Sequence, residues 1–219
     1  LPDGTALIAN AEIYNYIELK QAMRGVNFVT ASDCEVPLHL YRRDGEAFAA
    51  GLRGMYAIAI HDPEARRLLL ARDPFGIKQV YYTEGSFGFA FASEPQALVA
   101  AGLVPPTDRA ATAAELLQLQ FTTGPHTMFE GIHRVLPGET LVIEAGRIAR
   151  RHRIEALPDG GPEDIDDAEA LKRLDAALLD SVAVHQRSDV PYGMFLSGGI
   201  DSAVVLSLMA RLNDRPVRA

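Results

Sequence analysis

Near its C-terminal end the sequence reads Met194-Phe195-Leu196-Ser197-Gly198-Gly199-Ile200-Asp201-Ser202, a set of residue types suited to holding an anion. An apolar run, Val190 to Leu196, leads into two glycines, an acid and a serine. An apolar, helix-forming segment follows from Ala203 to Leu212. The spacing predicts a buried strand, a tight turn and a helix N-terminus. Glycines let a backbone approach a bound group closely. The free N–H groups of a helix start, at the positive end of its dipole, point at the charge. Ser197 and Ser202 add hydroxyl donors, and Asp201 can hold a divalent cation beside phosphates. No Gly-Lys-Ser/Thr follows, so the loop is not of the Walker type. The bland alternative is a strand–helix turn that needs glycine for steric reasons alone. Five fixed positions recur by chance in only about one chain per several thousand of this length, which favours a phosphate loop.

Composition narrows the partners. The 219 residues are 48% hydrophobic and 23% charged, ordinary for a globular protein of one large or two smaller domains. A net charge of −8 argues against nucleic acid, which normally demands a basic stripe. The local basic run Arg147 to Arg153 reads as a solvated strand edge. A single cysteine excludes an internal disulfide and suits a reducing, cytoplasmic setting. No apolar run approaches the ~20 residues that span a bilayer, so no membrane partner is expected. The six histidines show no metal-ligand spacing.

The elements that must position this chemistry fall into two parts. In the first, Thr5 to Asn10 reads as a strand and Ile13 to Met23 as a helix after a polar turn. Ser32-Asp33-Cys34-Glu35 has the spacing of a capping box, predicting a helix to Arg43. Met55 to His61 and Arg67 to Arg72 are strands, and Asp73-Pro74-Phe75-Gly76 is a turn. Val80 to Thr83 and Phe87 to Ala92 form a hairpin. A second Thr-x-x-Glu start predicts a helix over Thr112 to Gln120, with a long loop from Thr122 to Gly138. Leu141 to Glu144 and Arg147 to His152 make a last hairpin. Pro158 to Asp164 is an acidic, turn-rich linker. Beyond it Leu171, Leu174, Leu178, Val182 and His185 share one helical face. The boundaries drawn are 1–157, a linker 158–168, and 169–219.

The loop at Ser197 to Ser202 resembles the pyrophosphate loop of enzymes that cleave ATP to AMP and pyrophosphate. Upstream, Asn10-Ala11-Glu12-Ile13-Tyr14-Asn15 resembles the Asn-Gly-Glu-Ile-Tyr-Asn segment of the glutamine-hydrolysing asparagine synthetases. Matches follow in order: Ser32 to Val36, Gly54 to Ala57, Arg72 to Lys78, Ala92-Ser93-Glu94, Leu136-Pro137-Gly138 and Ser188 to Gly193. The resemblance covers nearly the whole chain.

That resemblance implies an α+β domain followed by an α/β one. The first is an N-terminal-nucleophile glutaminase, an αββα sandwich incomplete at its N-terminus. The second is the opening strand–loop–helix of a parallel-sheet domain of the adenine-nucleotide α-hydrolase type. The implied reaction amidates aspartate with ammonia from glutamine, through a β-aspartyl-adenylate, and uses ATP with Mg2+. The implied substrates are glutamine, aspartate and ATP, and a homodimer is compatible with the family. Asn10 and the backbone N–H of Ala11 would form the oxyanion hole, and Glu12 and Asp33 would hold the α-amino group of glutamine. Without the resemblance, Asp33 reads as a helix-start acid and Glu12 as a solvated turn. Phe195, Leu196, Ser197, Gly198, Gly199, Asp201 and Ser202 would hold ATP and its pyrophosphate portion, with Asp201 on magnesium.

Three departures qualify the picture. The family nucleophile is an N-terminal cysteine, expected ahead of Leu1 together with the arginine that clamps the glutamine carboxylate. Cys34 therefore reads as a small buried residue, and the chain as given is expected to complete neither reaction. Ala11 stands where the family has glycine, so a positive φ or a close substrate approach there would carry a cost. Gln79-Val80 replaces a family Pro-Leu and reads as packing variation. Two alternatives stay open: an amidotransferase or cyclase acting on another carboxylate, and a non-catalytic remnant serving as an interaction module.

Overall fold

Period-two alternation of apolar residues turns most of the first 158 residues into strands with two distinct faces. In the computed structural model, which describes residues 1–188 and 190–219, the chain divides into Leu1–Pro158 and Asp159–Ala219. The first unit holds β1 (Ala6–Ile13), β2 (Gly54–Asp62), β3 (Arg67–Arg72), β7 (Glu139–Glu144) and β8 (Arg147–Arg153) in one antiparallel sheet, ordered β1-β2-β3-β7-β8. A second sheet has the order β5 (Gly88–Ala92), β4 (Tyr81–Gly85), β6 (His133–Arg134). Helices α1 (Tyr16–Ala22), α2 (Glu35–Asp44), α3 (Pro95–Ala100) and α4 (Ala110–Leu119) complete the unit, with a 3-10 turn at Gly45–Gly51.

Alternation along each strand fixes the layers. Ile13, Tyr56, Ile58, Ile60, Leu69 and Ala71 point to a core shared with Val36, Leu40 and Tyr41 of α2 and with Phe48. Their neighbours Ala57, Ala59, Leu70, Leu141 and Ile143 face the other way, onto Val80 and Tyr82 of the second sheet. Tyr81 in turn packs outward on Leu98 of α3 and on Ile132. The unit is thus an αββα sandwich.

A buried pair pins the turn between the sheets. Asp73 is fully buried, and its carboxylate accepts from the backbone N–H groups of Tyr56, Ile77 and Lys78 at 3.3, 2.9 and 2.9 Å. Arg72 donates to the carbonyls of Lys78, Val135 and Gly76 at 2.8, 2.7 and 2.6 Å. The Asp-Pro-Phe-Gly turn predicted from sequence is therefore held by side chains that satisfy backbone groups at a chain reversal.

Several local expectations are corrected. β1 continues to Ile13, so Ala11 and Glu12, like Asn10, lie on a strand and not in a polar turn. Neither capping box forms. Ser32 Oγ accepts from the Cys34 N–H, and Glu35 turns away to Val29 and Thr30. Thr112 lies inside α4, buried, while Glu115 accepts from the Thr123 N–H at 2.9 Å. In both cases a more distant donor outcompetes the local box. The stretch Thr122 to Gly138 contains β6 and two isolated bridges, so it is not all loop. Helix α3 and the 3-10 turn are short and carry no capping box or long apolar period.

The second unit contains α5 (Asp167–His185), capped by the Asp166 carboxylate on the Glu169 N–H at 2.8 Å, and α6 (Ile200–Leu212). Leu171 and Leu174 are exposed, so the predicted apolar face of α5 is uncovered along its first half. The predicted strand Val190 to Leu196 is not formed. Among the described residues of this unit there is no strand; Met194 N–H meets the Arg218 carbonyl at 2.8 Å, and one such bond does not make a ladder. Of the expected opening strand–loop–helix, the loop and helix are present and the strand is not formed among the described residues. Asp189, within the matched segment Ser188 to Gly193, lies outside them.

Candidate active site

β1 is the edge strand of its sheet, and its hydrogen-bond alternation decides which groups face outward. Tyr14 N–H donates inward to the Arg53 carbonyl at 2.8 Å, whereas Ile13 N–H donates outward to Asp33 Oδ2 at 2.7 Å. Two residues back along the strand, the Ala11 N–H points the same way as that of Ile13, to the open edge. Asn10 sits opposite Ala57 and Ala11 opposite Tyr56. Paired residues share a face, so Asn10 and Glu12 lie on the side toward the second sheet and Ala11 on the side toward the helices.

Ala11 packs against the helix-side core and is not among the residues with positive φ. The strain that a positive φ would bring to its Cβ is thus absent. Its methyl group occupies ordinary extended backbone, on the face opposite Asn10, and leaves the edge N–H unobstructed.

Asn10 lines a cleft of about 280 Å³ between the sheets, with Ile8, Ala57, Ala59, Val80, Phe91 and Ser93 among its walls. The walls are mainly apolar, with the Asn10 amide and the Ser93 hydroxyl as polar groups. This is the pattern of a small-molecule site, in which few polar groups fix orientation. Ser93, within the matched Ala92-Ser93-Glu94 segment, was given no role from sequence, because hydrophobic alternation says nothing of which strand end faces a cleft.

Asp33 comes to β1 from the loop ahead of α2. Its bond to Ile13 N–H places the carboxylate one residue from Glu12 and two from Ala11. The structure therefore gathers Asn10, Ala11, Glu12 and Asp33 at one end of β1. Asn15 holds that end against β2, donating to the Gly51 carbonyl and accepting from the Arg53 N–H, both at 2.9 Å.

Cys34 does not line the cleft. It is the N-cap residue of α2, and burial, together with the neighbouring Asp33 carboxylate, pushes its thiol up to about 11. A nucleophilic cysteine needs the opposite shift.

In the second unit, Gly199 is the N-cap of α6, and Gly198 has φ +81° with open space around it. Ser197 Oγ and Ser202 Oγ lie 3.1 Å apart, and Ser202 Oγ also donates to the Gly199 carbonyl at 3.0 Å. Asp201 falls in the first helical turn. The arrangement presents hydroxyls and helix-start N–H groups beside an accessible carboxylate, so these residues fit a polyphosphate with its divalent ion. Phe195 is fully exposed and Leu196 half-exposed, so the expected burial at a strand end is not seen. Among the described residues no cluster of three or more His, Cys, Asp or Glu could hold a metal unaided. No helix among them is long and apolar enough to cross a membrane.

The sandwich and its edge-strand site define the class. The glutamine amidotransferase domain model matches residues 2–153, and the chain belongs to that family. The asparagine synthase model matches residues 173–219, in the order read from the motifs. The glutamine-hydrolysing asparagine synthetase 1 of Bacillus subtilis is 40% identical over 205 residues, covering 92% of this chain and 32% of that one. The amidase chry2 of Gibberella zeae is 32% identical over 213 residues, covering 95% and 31% respectively. The chain thus spans about a third of the length of the curated relatives it matches. A solved structure described as the allosteric regulatory enzyme of purine biosynthesis is 22% identical, with a TM-score of 0.50, covering 93% of this chain and 42% of that one. That likeness concerns the fold, and it agrees with the N-terminal-nucleophile type of sandwich.

Proposed function

We propose that the first unit binds glutamine for hydrolysis and that the second opens an ATP-dependent synthetase, together serving an asparagine synthetase. The observation that carries the reading is the grouping of Asn10, the edge N–H of Ala11, Glu12 and Asp33 at one end of β1. Asn10 Nδ2 and Ala11 N–H would donate to the oxyanion formed when a thiolate adds to the glutamine amide carbon. Such preorganised donors act on charge that develops only in the transition state. Glu12 and Asp33 would accept from the substrate ammonium. The nucleophile is not among the residues lining the cleft; by the resemblance it is an N-terminal cysteine.

In the second unit, Ser197, Gly198, Gly199 and Ser202 would bind the phosphates of ATP, and Asp201 the Mg2+. Phe195 and Leu196 would lie near the nucleotide. In the overall reaction an aspartate β-carboxylate oxygen bonds to the α-phosphorus of ATP and pyrophosphate leaves. Ammonia then adds to the acyl carbon and AMP leaves. The substrates are small molecules in the cytoplasm, with no nucleic acid or membrane involved, and a homodimer fits the family.

ATP–pyrophosphate exchange by the full-length protein tests the reading. Aspartate-dependent exchange is expected. Exchange that depends on a different carboxylic acid, with none on aspartate, defeats it in favour of a second reading, amidation of another acceptor. That second reading has one observation behind it, the 32% identity to a protein named an amidase. Ala11 has no positive φ and packs on the helix-side core, so backbone strain at that position gives the non-catalytic remnant no support.

A further inference from the structure

Asp33 is delivered by a stretch without regular structure, between the end of α1 and the start of α2, yet its carboxylate meets a single backbone N–H of β1. Something must hold that stretch. On one side, the Glu35 carboxylate accepts from the N–H groups of Val29 and Thr30 at 2.7 and 2.6 Å, and from Thr30 Oγ1 at 2.6 Å. On the other, Lys20 Nζ of α1 donates to the carbonyls of Thr30, Ala31 and Ser32 at 3.3, 3.1 and 3.1 Å. An ammonium has three donors, and all three are used on successive carbonyls of the residues just before Asp33. Phe28 and Tyr16 present their rings to the same ammonium, at 5.1 and 5.5 Å from the ring centroids. Both are attractive cation–π contacts that keep the long side chain from swinging away.

We propose that Lys20 is a positioning residue for the glutamine site, its ammonium fixing the Thr30–Ser32 backbone so that Asp33 reaches the edge of β1 beside Glu12. The proposal rests on the reading of that site as a glutamine site. Three carbonyls converging on one point repel one another without a cation between them. A neutral replacement therefore lets the stretch relax and carries Asp33 off Ile13. Contacts this close to solvent contribute little to global stability, so the effect belongs to substrate binding and not to folding. Arginine keeps the charge and several donors, although its planar fork fits three carbonyls less well than an ammonium does.

The test uses Lys20→Met and Lys20→Arg in the full-length protein, with two readouts. The first is the KM and kcat for glutamine hydrolysis. Lys20→Met should raise KM about tenfold with kcat within about twofold, and Lys20→Arg should recover most of the loss. The second is hydrogen exchange at the Ile13 amide, which should quicken in Lys20→Met and return toward the parent rate in Lys20→Arg. Unchanged KM and unchanged Ile13 exchange in Lys20→Met overturn the proposal. So does a fall in kcat at constant KM. Should Lys20→Met not fold, Lys20→Gln, which keeps the stem without the charge, is read in the same two ways. Asp33→Asn separates the two levels of inference. If it leaves KM for glutamine unchanged, the glutamine reading fails, while Ile13 exchange still reports whether Lys20 positions Asp33.

Discussion

Asn10 and Glu35 show how far a single residue's surroundings decide its use. Asn10 lies on the strand face toward the second sheet, and its amide is among the few polar groups in an apolar cleft. Replacing Asn10 by alanine should lower kcat for glutamine hydrolysis by ~10²–10³-fold with a much smaller change in KM, as for loss of one oxyanion donor. Steady-state assay of the whole protein measures it. Glu35 makes a different prediction. Shielding from water by itself raises its pKa, but hydrogen bonds from Thr30 and Val29, with His39 beside it, draw the carboxyl down to about 2. A depressed carboxyl stabilises the fold fully above its unfolded value, near 4.5, and this contribution is lost as pH falls toward 2. Urea unfolding of the parent and of Glu35→Gln should therefore differ most above pH 5 and converge as pH drops through that window.

Among the elements, the β1–β2 pair carries the candidate site, and Gly54 of β2 lies against the Glu12 backbone of β1. A side chain there would set its Cβ only 2.1 Å from the Glu12 carbonyl oxygen, a backbone atom with no freedom to yield. Gly54→Ala should destabilise the unit by about 1–3 kcal/mol through this overpacking and should displace Glu12. Chemical denaturation reads the first effect, and KM for glutamine the second. Much of this level was legible beforehand. The strand Arg67–Arg72 and both hairpins follow from alternation and turn residues. The two Ser/Thr-x-x-Glu patterns were misleading for a physical reason. A capping box gains two short-range bonds, and Glu35 instead found three donors and Glu115 two on neighbouring loop segments. No local pattern reveals that competition.

At the scale of the whole molecule, the chain parts at the acidic stretch after Leu157, where Asp159 to Asp164 are exposed and without regular structure. Limited proteolysis should cut first between residues 157 and 165 and leave the first unit as a resistant fragment, seen by mass spectrometry. Early cleavage inside β2 or β3 would contradict the division. The second unit leaves Leu171, Leu174, Phe195 and Ile200 open to solvent, and its predicted strand is not formed among the described residues. An apolar strand is stabilised by neighbours on both edges, and among the described residues Met194 has a single backbone bond to Arg218.

Residue order alone was enough to place the chain in its family and to order its two parts, because the motifs run along the chain in the order in which the two family models match. It also marked Asn10, Glu12 and Asp33. It left open which way any of them faces. That was decided by the pairing of β1 with β2, which turns the Ala11 N–H to the open edge and its methyl to the core, and by the Lys20 and Glu35 contacts that bring Asp33 across 20 residues of sequence. Strand register and long-range hydrogen bonds are properties of the folded chain, since the groups that compete for each donor meet only there.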